Sequence, residues 1–279
     1  MSAGAVVPGQ KVGRYRLERL LGEGAIGLVF RSTRDDGRHV ALKLLRPERA
    51  AESVSLARFL REARVAEGID LRHVVPILEL GEARGLTYLV MPYYEGGSLA
   101  ERLRKHGRLG IDETVELAAQ LGRGLDELHG HGVLHRDVKP SNVLLDGTGV
   151  AALSDFGLAL ATDSTRHTAE GQILGTPHYI APELIEGLEA TEASDVYAFG
   201  CLLYECLAGE PPFAGRSAAA VGFAHLAEPP PDIRRQRAEV SADLAQALLA
   251  ALGTDPAGRP TSGTALARML HVGRSAAPA

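Results

Sequence analysis

Tryptophan is absent from this 279-residue chain, aromatic residues make up only 5% of it, and cysteine occurs twice. Cys201 and Cys206 stand five apart in the apolar stretch VYAFGCLLYECLAG and form no C-x-x-C pair. On a helix that spacing builds no metal site, so buried thiols in a reducing compartment are expected. The opening MSAGAVVPGQ has no charged region leading into an apolar run, so no secretory signal is visible. The longest apolar stretch, around Val196 to Leu203, is far too short to span a bilayer. A net charge of -5 gives no reason to expect a nucleic-acid or polyanion surface. Together these absences lead us to expect a cytoplasmic chain with no membrane segment and no nucleic-acid partner. Lysine is scarce as well: of thirty basic residues only Lys11, Lys43, Lys105 and Lys139 are lysines. An arginine bias of this kind follows genome composition. A lysine that persists against it is worth following, because a compact ammonium suits point contact with phosphate better than a planar guanidinium does.

What the chain does have is an ordinary globular composition, 45% hydrophobic and 23% charged, with room for one large or two modest domains. Residues 1–11 are small and polar and read as a flexible lead-in. From 12 to 91 the pattern is mainly short strands: YRLERLLGEG alternates and breaks at glycine, LVFRSTR resumes, and Asp35-Asp36-Gly37 marks a hairpin turn into HVALKLL. One helix interrupts the strands, SVSLARFLREARVAEG, whose apolar stripe closes at Gly68. A short hinge is expected over 92–96. Beyond it, 97–270 turns helical, with Ser98 as an N-cap, a long amphipathic segment IDETVELAAQLGRGLDELHGHG, and helices near 192–209, 217–227 and 241–252. Residues 271–279 are read as a tail. The fold class is therefore α+β, a small antiparallel-sheet lobe with one helix beside a larger, mainly helical lobe. A cleft between two such lobes is the natural ligand site.

Three motifs carry the chemistry. His135-Arg136-Asp137-Val138-Lys139-Pro140-Ser141-Asn142 is followed, thirteen residues after Asn142, by Asp155-Phe156-Gly157. The pair supplies a carboxylate base, a cation, an amide oxygen and a second carboxylate in the order that Mg·ATP phosphoryl transfer requires. Gly22-Glu23-Gly24-Ala25-Ile26-Gly27-Leu28-Val29 fits G-x-G-x-x-G-x-V. A dinucleotide-binding loop would open a helix, whereas LVFRST continues as a strand. The motif is thus a hairpin whose backbone N–H groups can approach phosphates, with Val29 over the adenine. In Val40-Ala41-Leu42-Lys43 a lysine ends an apolar strand, a costly place for an unpaired charge. Glu62 is the favoured partner, with Glu67 and Glu52 less well placed on the same helix.

With these motifs in order, followed by GTPHYIAPE, SDVYAFG and DPAGRP, the chain resembles the Hanks-type protein kinases. It is most similar to the bacterial serine/threonine kinases, over roughly residues 14–270. The resemblance implies the bilobal protein-kinase fold and transfer of the ATP γ-phosphoryl group to protein serine or threonine. It implies Asp137 as the base and Lys139 neutralising the γ-phosphate. Lys43 would sit on the α- and β-phosphates held by Glu62, and Asn142 and Asp155 would hold Mg²⁺, with Mn²⁺ a possible substitute. It further implies ATP contacts from Leu21, Gly22, Glu23, Gly24, Ala25, Ile26, Gly27, Val29, Ala41, Met91, Tyr94 and Leu144. Pro92 stands where many relatives have glutamate, and only its carbonyl is needed. Thr176 would bridge Asp137 and Lys139. His135, Arg136, Phe156 and Gly157 are implied to be structural, as are Asp195, on the catalytic-loop backbone, and Arg259, paired with Glu183. Autophosphorylation is expected between Asp155 and Glu183, at Thr168 first and at Thr165, Ser164 or Thr162 otherwise, through a transient homodimer. Glu170 stands where relatives often have a second threonine. A small-molecule phosphotransferase is disfavoured by GTPHYIAPE and the Arg259 segment. A pseudokinase scaffold should lack Lys43, Asp137, Asn142 or Asp155, and none is missing.

Overall fold

The computed structural model describes residues 7–24, 27–45, 72–83, 85–156 and 177–274. The helix expected over 53–68 lies outside these. So do Ala25, Ile26, Glu52, Glu62, Glu67, Gly157, Thr162, Ser164, Thr165, Thr168, Glu170 and Thr176.

The chain divides into two compact units. In the first, six strands form one antiparallel sheet in the order β1-β2-β3-β4-β6-β5. They are β1 (Lys11–Val12), β2 (Tyr15–Glu23), β3 (Gly27–Arg34), β4 (His39–Leu45), β5 (Glu79–Ala83) and β6 (Leu86–Pro92). The register sets Val29 opposite Lys43, Lys43 opposite Leu89, and Ala41 opposite Met91. Side chains alternate across a strand, so these residues share one face. The intervening residues Phe30, Leu42, Leu44, Tyr88 and Val90 share the other face, where they join Val12, Tyr15, Leu17 and Val40 in one buried cluster. Each such apolar side chain contributes about 1.5–3 kcal/mol when fully buried, which is why the period-2 pattern fixes the register. Glu79 ties the sheet edge to this cluster, accepting from the Tyr15 hydroxyl at 2.7 Å and the Tyr88 hydroxyl at 3.0 Å, and pairing with Arg14. Residues of the expected lead-in also join the sheet, since Gly9 N–H donates to Leu17 O at 2.7 Å and β1 begins at Lys11.

The second unit is helical, with α1 (Leu99–His106), α2 (Ile111–Gly130), α3 (Pro182–Ile185), α4 (Glu192–Ala208), α5 (Ala218–Ala227), α6 (Ala242–Ala251) and α7 (Gly263–Arg274). A small hairpin, β7 (Val143–Leu145) with β8 (Ala151–Leu153), lies between α2 and α3 in the chain. Ser98 caps α1 with a reciprocal bond from Glu101, the capping box that satisfies two orphan donors. In α4, thirteen of 17 residues are buried, so the helix has no broad solvent face and its neighbours pack around it. Both cysteines lie there, buried, and burial pushes their thiols above the usual range. Helices α2 and α7 cross with backbone nearly in contact: a Cβ on Gly122 would sit 2.7 Å from Gly263 O. Asp126 of α2 caps α7 by accepting from Gly263 N at 2.7 Å and Thr264 N at 3.1 Å.

Three features differ from the sequence boundaries. The units part between Glu95 and Gly96, residues 72–74 belong to the second unit, and α7 continues to Arg274. His73 explains the second: its O accepts from Leu153 N at 2.9 Å and its Nδ1 meets Ala151 O at 3.0 Å, which adds the segment to the small hairpin. Among the described residues no helix is long and apolar enough to cross a membrane.

Candidate active site

The loop from His135 to Asn142 owes its shape to a carboxylate far away in sequence. Asp195, in the first turn of α4 and 2% exposed, accepts from the N–H groups of His135 and Arg136, each at 2.8 Å. Arg136 is left-handed at φ 64°, a conformation that costs a non-glycine residue of order 1–3 kcal/mol unless its surroundings impose it. Two N–H donors on one buried carboxylate supply that constraint. A third donor, His129 Nε2 at the end of α2, reaches the same carboxylate at 2.8 Å and completes it.

The bent loop presents Asp137, Lys139 and Asn142 together. The Asn142 amide donates at 2.8 Å both to Asp137 O and to Asp137 Oδ2, and Lys139 Nζ lies 2.8 Å from Oδ2 as well. Among these contacts Oδ1 accepts none. Asn142 is 6% exposed, with its amide nitrogen fixed on Asp137, so its oxygen is turned away, and the Ser141 hydroxyl meets it only at 3.5 Å. Ser154 links this loop to Asp155, donating from its N–H at 2.8 Å and its hydroxyl at 3.0 Å to Asn142 O. Asp155 follows at φ 62°, and Phe156 is buried. His135 is fully buried and burial pushes its pKa below the usual imidazole range. Its Nδ1 accepts from Asp137 N at 3.3 Å, which leaves the proton on Nε2.

Arg259 and Glu183 meet as a bidentate pair at 2.8 and 2.7 Å, 4% and 6% exposed. The guanidinium also donates to Gly253 O, Ala193 O and Thr254 O, and it stacks over Tyr197 at 4.8 Å. Burial alone would raise the Glu183 pKa. The Arg259 and Ser194 donors outweigh that and hold it below the usual carboxylate range.

In the first unit Lys43 is 5% exposed in mid-strand, on the same sheet face as Val29, Ala41 and Met91. Gly22, Glu23 and Gly24 are exposed and Leu21 is half-buried at the end of β2. Gly24 N donates to Gly27 O at 2.9 Å. Gly27 admits no side chain, since a Cβ there would lie 1.9 Å from Leu44 O. Pro92 and Tyr94 are half-buried, as is Leu144 on β7 in the second unit. Glu62, the expected partner of Lys43, and Thr176 are outside the described residues. Two contributors are not in the motif reading. Ser154, directly before Asp155, could have been suspected from its place. The other is His129, and nothing near it in sequence points to Asp195.

A helical unit carrying this loop and a six-stranded antiparallel sheet carrying the glycine motif and Lys43 define the protein kinase class. The protein kinase domain family matches residues 15–270, and the chain belongs to that family. Serine/threonine-protein kinase PknA of Mycobacterium tuberculosis is 39% identical over 227 residues, 79% of this chain and 53% of its own length. A protein of Corynebacterium efficiens named for serine/threonine-protein kinases, drp72, is 38% identical over 268 residues, 93% of this chain and 51% of its own. The chain thus spans about half the length of the curated relatives it matches. Among solved structures, the Mycobacterium tuberculosis PknI kinase domain superposes with a TM-score of 0.77 at 28% identity, covering 98% of this chain and 100% of that one. Rad53 1-466 in complex with AMP-PNP superposes at 0.73 with 26% identity, covering 91% of this chain and 64% of that one.

Proposed function

We propose that the protein transfers the γ-phosphoryl group of ATP to serine or threonine hydroxyls of proteins. The observation that carries this reading is the Asp137–Lys139–Asn142 cluster, one carboxylate oxygen held by two donors and the other left for a substrate proton. Asp137 would orient the acceptor hydroxyl and take its proton through Oδ1. Lys139, anchored 2.8 Å from Oδ2, would stand beside the transferring group and offset its charge. Such a division suits a loose transition state, in which the protein mainly positions groups and stabilises charge. Lys43 would bind the α- and β-phosphates, and the exposed glycine backbone at Gly22 would approach them. The relative bound to AMP-PNP supports ATP as the donor.

The residues fit a hard divalent cation. The Asn142 oxygen and the Asp155 carboxylate are oxygen donors, and among the described residues no group of three His, Cys, Asp or Glu could cage a metal. Mg²⁺ suits few protein ligands shared with substrate phosphates, and Mn²⁺ could replace it. When bound, the ion supplies charge neutralisation on the phosphates.

Asp137→Asn should lower kcat about 10²–10⁴-fold, the usual worth of a positioned base, while leaving nucleotide affinity near wild type. Full activity in that variant would remove Asp137 from the role. We also propose that the protein phosphorylates itself at Thr168, with Thr165, Ser164 and Thr162 as alternatives, in a transient pair of chains. Phosphopeptide maps of wild type against Asp137→Asn should show phosphate on this segment only in the former.

A further inference from the structure

Among the residues that α5 buries, His225 is the polar one, and it is 1% exposed. The helix packs on α3 and on the short turn Pro177–Tyr179. His225 Nδ1 lies 2.6 Å from the Tyr197 hydroxyl of α4, and the ring stands edge-on to Tyr197 at 5.6 Å and to Phe213 at 5.1 Å. Phe213 is left-handed at φ 60°, a conformation that a non-glycine residue keeps only where its surroundings impose it. His225 Nε2 is buried with no bond of good geometry among the described residues, although the main-chain oxygen of His178 lies close to the ring.

These contacts suit a neutral imidazole. Burial pushes the Tyr197 pKa above its usual range, so the hydroxyl keeps its proton and donates it to Nδ1. The ring proton then belongs on Nε2, toward the His178 oxygen. Burial, with the His178 ring beside it, lowers the His225 pKa to about 4. A proton on Nδ1 would set N–H against O–H and bury a charge. The surroundings offer that charge no counterion. Glu183 of α3 is held by Arg259, which itself stacks over Tyr197. Glu228 is paired with Arg216, a further cation over Phe213. The turn presents His178, held below the usual imidazole range by burial, and Tyr179, whose hydroxyl is on Glu205 at 2.5 Å.

The turn stands beside the loop that presents Asp137, since Tyr179 and Lys139 line one hollow and Lys139 lies 2.8 Å from Asp137. It also follows Thr176 directly in sequence. We propose that His225 is a positioning residue for phosphoryl transfer: its neutral ring joins α5 and Tyr197 to this turn, and a proton on the ring releases the turn and lowers transfer. The inference rests on the kinase reading and adds an acid-sensitive joint to it. A ring held near pKa 4 binds a proton about 300-fold more weakly than a free one near 6.5. The joined form therefore has its full advantage above the free value and loses it progressively as pH falls toward the lower one.

The test follows phosphate from labelled ATP into casein and into the chain itself, between about pH 8 and about pH 5, for wild type, His225→Asn and Tyr197→Phe. Asparagine offers Tyr197 an acceptor oxygen in place of Nδ1 and takes no proton. His225→Asn should thus keep kcat within about threefold of wild type at the alkaline end and lose about tenfold less on acidification. Tyr197→Phe removes the bond that favours the neutral ring, so its acid limb should move to higher pH while the KM for ATP stays unchanged. A ring that serves only as filling would shift neither limb. One acid limb common to all three proteins, or a limb at lower pH in Tyr197→Phe, overturns the inference alone. Should His225→Asn fail to fold, the direction of the Tyr197→Phe shift decides by itself. Transfer to neither acceptor by wild type at any pH would defeat the kinase reading and this inference with it.

Discussion

Glu183 shows how much a single buried carboxylate can hold. It lies under the Arg259 fork with almost no solvent contact, so losing one partner leaves the other charge buried and uncompensated. Glu183→Gln should therefore cost about 3–5 kcal/mol, read as a lower urea midpoint. The pH dependence has a definite sign. The folded carboxyl is held below its ordinary value, so its stabilisation is present above the unfolded pKa and is lost as pH falls through the folded one. Wild-type midpoints should drop on acidification through that window, and the Glu183→Gln protein should drop less. An identical slope for both proteins would show that the pair does not govern acid sensitivity. Residues of this kind were partly legible. The motifs alone singled out Asp137, Lys139 and Asn142, which the structure brings into contact. His129 was not legible, because its partner Asp195 stands 66 positions away and only the packing of α2 on α4 joins them.

At the scale of elements, alternation revealed the start of β2, where Tyr15 and Leu17 are buried and Arg16 between them is exposed, and Asp35-Asp36-Gly37 revealed its hairpin because Gly37 takes φ 83°. The stretch VVPILELGE was harder. Its strand runs only from Glu79 to Ala83, while Val74 bridges to Leu153 in the second unit. Helix α7 escaped notice because TSGTALARMLHVGR has glycine near both ends, and its Gly263 serves close contact with α2 rather than a stop. The glycine motif invites a test that separates packing from phosphate handling. Gly27→Ala puts a Cβ into Leu44 O and should cost about 1–3 kcal/mol of stability, measured by thermal unfolding. Gly22 has nothing within 4 Å of such a Cβ, so Gly22→Ala should leave the melting temperature within experimental spread and act, if at all, on the KM for ATP. Equal destabilisation by the two substitutions would refute the distinction.

For the molecule as a whole, two compact units with separate cores imply that damage can be assigned to one or the other. Gly27→Ala belongs to the sheet and Glu183→Gln to the helices, so their stability losses should add within about 0.5 kcal/mol in the double variant. The Asp195 carboxylate carries a different consequence, in the language of isotope exchange. Amides in an irregular loop ordinarily trade their protons with solvent during small local fluctuations. Those of His135 and Arg136 are instead locked on a carboxylate that is 2% exposed, in a helix buried on most sides. Even without nucleotide, deuterium should enter these two positions only when the helical unit itself opens, at the rate of the α4 amides. The loop that bears Asp137, Lys139 and Asn142 would then be among the slowest-exchanging segments of the protein.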